Sequence, residues 1–156
     1  MKTYRALLLE NIDDAAAVSL RKAGIEVETR PGSLREDELL TALEGVDVLG
    51  IRSKTQVRHE TLEQLPNLLA VGCFCIGTDQ VDVIEAGRRG IAVFNSPFSN
   101  TRSVAELTIA EIVALHRRLH ERSSDLHSGL WRKTAVGAHE VRGRTLGIVG
   151  YGHIGS

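Results

Sequence analysis

Three glycines near the carboxyl end of the sequence have the spacing of a phosphate-binding turn. Gly150, Gly152 and Gly155 follow the apolar segment Leu146–Val149 in the pattern G-x-G-x-x-G. The first glycine permits a tight turn, the second lets the backbone approach a pyrophosphate, and the third lets a following helix pack against the strand. We therefore predict that Leu146–Val149 is a strand and that the turn after it binds a dinucleotide. A glycine turn with a purely structural role is the alternative.

The remaining parts of such a site would follow the glycine turn, beyond the last residue of the given sequence. A dinucleotide site needs the helix after the turn and an acidic residue about 20 positions later, which would lie beyond Ser156. We therefore expect the sequence to be the N-terminal piece of a longer protein.

Polar loops follow three of the predicted strands, at the positions where open α/β sheets bind ligands. The first loop, Arg52–Thr55, has two cations and two hydroxyls, which suit a phosphate or carboxylate; a solvated charged loop is the alternative. The second, Gly72–Asp79, has small residues whose backbone N–H groups could hold an anion. The third, Asn95–Ser103, leads into a helix whose N-terminus also favours anions. Together these loops predict a polar, cationic crevice at one edge of the sheet.

The two cysteines, Cys73 and Cys75, are poor candidates for chemistry. In an extended chain their Cα atoms would lie about 7 Å apart, at the limit for a disulfide. Two thiols without further cysteine or histidine make a poor metal site. His116 and His120 lack the glutamate of a zinc-protease motif. We predict buried, unreactive thiols, solvent-facing histidines and no metal site.

The loops must be positioned by strands and helices. Along the sequence, short apolar segments, which predict strands, alternate with amphipathic segments, which predict helices. The predicted strands are Tyr4–Leu9, Ile25–Thr29, Val46–Ile51, Leu68–Gly72 and Ile91–Phe94. The predicted helices between them are Asp13–Ala23, Leu34–Leu43, Glu60–Gln64 and Val81–Arg89. Strands separated by helices require right-handed crossovers and a parallel sheet covered on both faces. The predicted fold class is therefore α/β with a doubly wound parallel sheet.

Helix ends are indicated by capping residues. Gly24 predicts a left-handed C-terminal cap, and the pairs Ser33–Glu36 and Ser103–Glu106 predict capping boxes at two N-termini. The second pair would open one long helix over Asn100–Arg122. That length is unusual for a crossover and is typical of a helix that bridges two domains.

Composition excludes several classes of protein. The chain has 156 residues and a formal net charge of −1, so there is no basic excess for nucleic-acid binding. No apolar segment approaches the roughly 20 residues of a membrane span, and the N-terminal leucines are too few for a signal peptide. Two cysteines without a secretion signal favour the cytoplasm.

Three segments resemble the D-isomer-specific 2-hydroxyacid dehydrogenases, and among them the bacterial-type phosphoglycerate dehydrogenases. They are Gly72–Asp82 (GCFCIGTDQVD), Phe94–Ile112 (FNSPFSNTRSVAELTIAEI) and Leu146–Gly155 (LGIVGYGHIG). The resemblance implies a flavodoxin-like substrate-binding domain over residues 1–98. It also implies that residues 99–156 are a bridging helix and the start of a Rossmann NAD-binding domain. The implied reaction oxidises 3-phospho-D-glycerate to 3-phosphohydroxypyruvate with NAD, which opens L-serine biosynthesis.

The resemblance also implies a set of substrate contacts. Arg52 and Ser53 would contact the substrate, with Arg52 at its phosphate. The backbone around Ile76 and Gly77 would lie against the substrate carboxylate and the nicotinamide. Asn100 would border the same substrate. The substrate implied is therefore a small phosphorylated 2-hydroxy acid.

For the cofactor, the resemblance implies NAD on the glycine turn. His153 and Ile154 would offer N–H groups to its pyrophosphate, between the glycines Gly150, Gly152 and Gly155. The family's catalytic Arg, Glu and His follow this turn, beyond the given sequence. We therefore assign no catalytic residue here, expect the chain alone to be inactive, and expect the full-length protein to form a homo-oligomer.

Two other functions remain open. The chain could be a non-catalytic module that binds anions or a longer subunit. It could also belong to a dehydrogenase for another 2-hydroxy acid, such as glycerate or lactate. The cations Arg52 and Lys54 favour a phosphorylated substrate.

Overall fold

The computed structural model describes residues 2–156. The chain divides into two compact units, of which the first ends at Ser99 and the second starts at Asn100. Within the described residues, no helix has the length and apolar character needed to cross a membrane.

The first unit is a parallel sheet with a helix in each of its four connections. The strands are β1 (Arg5–Leu8), β2 (Glu26–Thr29), β3 (Val48–Ile51), β4 (Ala70–Cys73) and β5 (Ala92–Asn95). The helices are α1 (Asp14–Lys22), α2 (Glu36–Ala42), α3 (His59–Glu63) and α4 (Val83–Arg88). The strand order is β2-β1-β3-β4-β5, which is the flavodoxin-like order. The predicted fold class is confirmed.

The core of the first unit lies around the three central strands. Leu7 of β1, Leu49 of β3 and Val71 of β4 are fully buried, as expected for parallel strands covered on both faces. Leu39 of α2 and Leu62 of α3 are also fully buried. The chain passes from β1 to β2 on one side and then to β3 on the other. The switch point therefore lies between the carboxyl ends of β1 and β3.

The starts of α2 and α4 in the first unit differ from the prediction, since α4 begins at Val83 instead of Val81 and α2 begins at Glu36 instead of Leu34. The capping box Ser33–Glu36 is wrong, because α2 begins at Glu36 and the Arg35 N–H donates to Glu38 Oε2 at 3.0 Å. The Glu10 N–H donates to Gly32 O at 3.1 Å. That bond ties the preceding segment to the end of β1, so Ser33 stays outside the helix.

The second unit has two helices where one was predicted. They are α5 (Thr101–His116) and α6 (Leu119–His127). The carbonyl of His116 accepts from the His139 N–H at 2.8 Å, and Arg118 adopts a left-handed conformation with φ of 53°. A continuous helix would need that carbonyl for its own ladder, so the helix ends there.

Two further predictions for the second unit are wrong. The capping box Ser103–Glu106 does not form, because α5 begins two residues earlier and Glu106 accepts from Arg102 Nε at 2.7 Å. Leu146–Val149 is not a strand, and residues 100–156 contain no strand that could pair with it. A strand needs such a neighbour to satisfy its backbone groups.

Candidate functional site

Two loops at the carboxyl edge of the sheet form the candidate site. The first loop, Arg52–Thr55, follows β3, and the second, Phe74–Asp79, follows β4. These strands are neighbours, and Ile51 pairs with Cys73 at their ends. The loops consequently leave the sheet side by side, as the strand-end rule predicts.

A cavity of about 420 Å³ lies between the two loops. It brings together three of the predicted substrate residues, Ser53, Ile76 and Gly77. Its remaining lining residues are Gln56, Arg58, Cys75, Asp79 and Gln80. Arg52 is exposed and does not line this cavity.

The cation in the cavity wall is Arg58, which the sequence analysis did not single out. Arg58 Nη1 donates to Asp79 O at 3.0 Å, and Nη2 donates to Gln56 Oε1. Arg58 also lines a neighbouring cavity of about 410 Å³, together with Lys54 and Arg35. The cationic character predicted for this edge therefore comes from residues after the first loop as well as within it.

Glu10 holds the first loop from the side of β1. Its side chain accepts from the Lys54 N–H at 3.0 Å and from the Thr55 N–H at 2.8 Å. Glu10 is only 7 % exposed, and its φ of 62° lies in the left-handed region. Burial acts to raise the pKa of Glu10, but hydrogen bonds from Thr55 and the loop amides outweigh it and lower that pKa. These two amides are thus occupied by an internal carboxylate, and the loop offers its side chains to a ligand.

Gln80 joins the first loop to the second. Its Nε2 donates to Arg52 O at 2.7 Å and lies 3.5 Å from Gly77 O. It also donates to Cys75 Sγ at 3.3 Å. The backbone of Gln80 adds a second link, because its carbonyl accepts from the Val57 N–H at 2.8 Å. Both loops are therefore fixed to one buried residue.

The two cysteines differ in burial. Cys73 is buried at the end of β4, and burial raises the pKa of its thiol to about 11. Cys75 is only half-buried and lines the cavity, so the prediction that both thiols are buried is wrong for Cys75. Its side chain projects towards the loops, where its thiol donates to Gly77 O at 3.2 Å. Residues 2–156 contain no group of His, Cys, Asp and Glu that could hold a metal.

The third predicted loop is tied to the second. Asn95 Nδ2 donates to Ile76 O at 2.7 Å, and the Ser96 N–H donates to Cys75 O at 3.0 Å. Asn100, the remaining predicted substrate residue, begins the second unit as the N-cap of α5. Its carbonyl accepts from the Val104 N–H at 2.9 Å.

The glycine turn of the second unit closes on itself. Gly150 has a φ of 95°, and a Cβ added at Gly155 would meet Gly150 O at 2.4 Å. The position of a Cβ at Gly152 is open, with nothing within 4 Å. The predicted cofactor residues His153 and Ile154 lie within this turn. Gly150 and Gly155 therefore approach each other closely, and the backbone at Gly152 stays accessible.

Glu10, Arg58 and Gln80 are the site residues that the sequence analysis missed. Glu10 carried a signal, since a charged residue directly follows the apolar segment Leu7–Leu9 at the ligand-binding edge. Arg58 and Gln80 carried none, because the backbone carbonyls that they contact lie 21 and 28 residues away.

Comparison with known proteins gives consistent matches. Residues 6–147 match the model of the D-isomer specific 2-hydroxyacid dehydrogenase catalytic domain. The D-3-phosphoglycerate dehydrogenase of Dictyostelium discoideum is 55% identical over 152 residues, covering 97% of this chain and 37% of that protein. The Haemophilus influenzae enzyme of the same name is 50% identical over 151 residues, covering 96% of this chain and 37% of that protein. The chain therefore spans little more than a third of these relatives.

Solved structures agree with the fold. The TT0316 protein from Thermus thermophilus matches with a TM-score of 0.87 and 33% identity, over 97% of this chain and 50% of that one. The NAD-dependent formate dehydrogenase from Staphylococcus aureus matches with a TM-score of 0.78 and 27% identity, over 97% of this chain and 50% of that one.

Proposed function

The chain belongs to the D-isomer specific 2-hydroxyacid dehydrogenase family, and we propose that it contributes the substrate-binding part of an enzyme that oxidises 3-phospho-D-glycerate. Residues 1–98 form the substrate-binding domain, and residues 99–156 begin the NAD-binding domain. The product is 3-phosphohydroxypyruvate. The observation that carries this proposal is the cavity at the carboxyl edge, where Ser53, Ile76 and Gly77 meet.

The two loops supply complementary groups for a phosphorylated 2-hydroxy acid. The Ser53 hydroxyl and the backbone N–H groups around Ile76 and Gly77 suit the carboxylate. Arg52 is exposed beside the cavity and suits the phosphate, which a guanidinium binds through two parallel hydrogen bonds. For Asn100, a substrate contact is proposed only from the resemblance of the segment Phe94–Ile112. We assign the transfer of the hydroxyl proton to no residue of this chain.

The glycine turn is the part of the chain that would hold NAD. Gly152 leaves the backbone open to a pyrophosphate, and the amides of His153 and Ile154 would donate to it. Gly150 and Gly155 make the turn tight enough for this arrangement. In this family the nicotinamide ring supplies the hydride acceptor.

The test uses a hybrid enzyme, in which this chain replaces the matching N-terminal part of the Dictyostelium discoideum relative. NADH formation is followed with NAD and with 3-phospho-D-glycerate, D-glycerate or D-lactate. We expect turnover with 3-phospho-D-glycerate. Faster turnover of an unphosphorylated acid would overturn the substrate assignment.

Arg52→Ala in the hybrid enzyme tests the phosphate contact. Losing a charge-assisted hydrogen bond should raise the KM for 3-phospho-D-glycerate about tenfold or more. Arg21→Ala is the control, because Arg21 lies on α1 and its side chain donates to the nearby Val27 carbonyl. An unchanged KM in Arg52→Ala would remove Arg52 from the site.

A cytoplasmic homo-oligomer is part of the same proposal. The free Cys73 and Cys75 suit a reducing compartment. Apolar side chains along α5 are exposed in this chain, including Leu107, Ile109 and Leu115, and either the rest of the NAD-binding domain or a second subunit would cover them in the hybrid enzyme. Light scattering of the hybrid enzyme tests this, and a monodisperse monomer would contradict it.

A further inference from the structure

We propose that Gln80 is a positioning residue for substrate binding, because its buried amide sets the distance between the two loops that hold the substrate. This inference rests on the proposed function. Gln80 is only 6 % exposed, and its amide reaches the first loop at Arg52 O and the second at Gly77 O and Cys75 Sγ. A buried donor with acceptors on both loops restrains each loop relative to the other.

The polar groups of the first loop are held from opposite sides. Glu10 binds the amides of Lys54 and Thr55, at the far end of the loop. Gln80 binds the carbonyl of Arg52, at the end of the loop nearest β3. Removing the Gln80 amide therefore loosens the end that carries Ser53, where the Cys75 thiol still lies 3.5 Å from Arg52 O, while Glu10 keeps the far end fixed. The expected result is a displaced loop in a folded protein.

The backbone of Gln80 separates this role from a general role in folding. Its carbonyl bonds to the Val57 N–H at 2.8 Å, and Val57 and Val81 form a parallel bridge beside it. These bonds do not involve the side chain, so a substitution at Gln80 leaves them in place. Only the link through the amide to the two loops is lost.

The geometry of the substrate makes this distance important. A small 2-hydroxy acid must be held by Ser53 on one loop and by the backbone near Gly77 on the other. A ligand this small cannot adjust to a wider gap, and a misplacement of about 1 Å can cost up to about a hundredfold in rate or binding. Gln80 thus acts on the substrate through the positions of both loops.

Two substitutions test the role of the amide, Gln80→Met and Gln80→Glu. The first keeps the length of the side chain without a donor, and the second keeps its shape while placing a carboxylate beside the carbonyls. In the hybrid enzyme, we expect both to raise the KM for 3-phospho-D-glycerate about tenfold or more. The rise in the KM for 3-phospho-D-glycerate should exceed any change in the KM for NAD, because the proposed pyrophosphate contacts lie on the glycine turn and not on the two loops.

The control is Gln64→Met. The Gln64 amide is exposed and donates to Glu60 O of its own helix at 3.1 Å, so all kinetic constants should stay unchanged. A Gln80 variant with normal KM and reduced kcat, or with reduced thermal stability alone, would show a merely structural role and overturn the proposal.

A measurement on the 156-residue chain separates this inference from the proposed function. Backbone amide NMR shifts compare the chain with its Gln80→Met variant, with no ligand present. We expect changes at Ser53 and Gly77 and none in β1 or β2. Unchanged shifts at both loops would overturn the positioning role. A hybrid enzyme that is inactive on 3-phospho-D-glycerate would instead overturn the proposed function and leave the loop result standing.

Discussion

The two units of the chain differ in what holds their elements together. In the first unit, β1, β3 and β4 bury Leu7, Leu49 and Val71 completely. In the second, no side chain of residues 100–156 is buried, and Leu107 and Leu115 on α5 are 62% and 66% exposed. The first unit therefore owes its stability to its own core, whereas the helices of the second rely mainly on local backbone bonds. Helices of that kind are marginal without packing.

The polar interactions of the two units also differ. In the first unit, buried side chains connect residues far apart in the sequence, as Glu10 does with Lys54 and Thr55. In the second, ion pairs such as Arg102–Glu106 join residues four apart on an exposed helix surface. Exposed pairs of this type contribute at most about 1 kcal/mol. Substitutions should therefore matter more in the first unit, and most where burial is greatest.

The largest expected effect is at the core of the first unit. Leu49→Ala removes a fully buried side chain from β3 and should lower the free energy of unfolding by about 2–5 kcal/mol. Leu115→Ala removes an exposed leucine of the same size from α5 and should change it by less than about 0.5 kcal/mol. Urea denaturation of the chain, followed by circular dichroism, measures both. Equal losses would contradict the difference in burial between the units.

A smaller effect is expected at Glu10. Glu10→Gln leaves loop amides without their carboxylate partner and should lower stability by about 1–3 kcal/mol near neutral pH. The folded-state pKa of Glu10 lies below its ordinary value of 4.5. Its contribution is therefore fully present above that ordinary value and is lost as the pH falls through the folded-state pKa. Denaturation at a series of pH values should show less acid destabilisation in Glu10→Gln.

The control for Glu10 is a carboxylate at the opposite edge of the sheet. Asp47 is buried at the amino end of β3, where it accepts from Lys2 Nζ and from the Arg5 N–H, and these bonds lower its pKa. Asp47→Asn should also reduce acid destabilisation. In the hybrid enzyme, however, Glu10→Gln alone should raise the KM for 3-phospho-D-glycerate. A similar rise in this KM in Asp47→Asn would contradict the proposal that the substrate binds at the carboxyl edge of the sheet.

Gly155 of the second unit should resist substitution, although it is only half-buried. A Cβ at Gly155 would meet Gly150 O at 2.4 Å, so Gly155→Ala must open the turn. In the hybrid enzyme we expect the KM for NAD to rise about tenfold and the KM for 3-phospho-D-glycerate to stay unchanged. Gly147→Ala is the control, because a Cβ there meets nothing within 4 Å. If both variants bind NAD normally, the turn is not the cofactor site.

The difference between the units also explains which parts of the fold could be predicted from sequence. Each strand of the first unit was placed within two residues, because apolar segments there alternate with helices that end at glycines. Gly24, with its φ of 80°, confirms one such end. In the second unit, the apolar segment Leu146–Val149 has the composition of a strand but no partner in residues 100–156. The break after α5 depends on His139, which lies 23 residues beyond the carbonyl it binds.

Some residues of the candidate site could likewise be predicted from the sequence, and others could not. Ser53, Ile76 and Gly77 could be brought together from sequence, because the carboxyl ends of neighbouring parallel strands share an edge. The residues that hold these loops could not, because Gln80 bonds 28 residues back to Arg52 and Glu10 bonds 44 and 45 residues ahead. Local patterns locate the ends of strands, and only the tertiary fold selects the side chains that fix the loops.

The smallest effect is expected at two ion pairs that look alike in sequence and geometry. Arg89–Glu85 of the first unit and Arg102–Glu106 of the second each join residues four apart, at 2.6 Å and 2.7 Å. The Glu85 side chain is 8% exposed, whereas that of Glu106 is 66% exposed. Water can therefore replace the partner of Glu106 far more easily than that of Glu85.

Arg102→Ala should accordingly change the free energy of unfolding by less than about 0.5 kcal/mol. Arg89→Ala should cost more, because it leaves a buried carboxylate without its shortest partner. Urea denaturation of the two variants of the chain measures the difference. If Arg102→Ala cost as much as Arg89→Ala, the interactions of the second unit would be as strong as those of the first, and burial would not explain why the units differ.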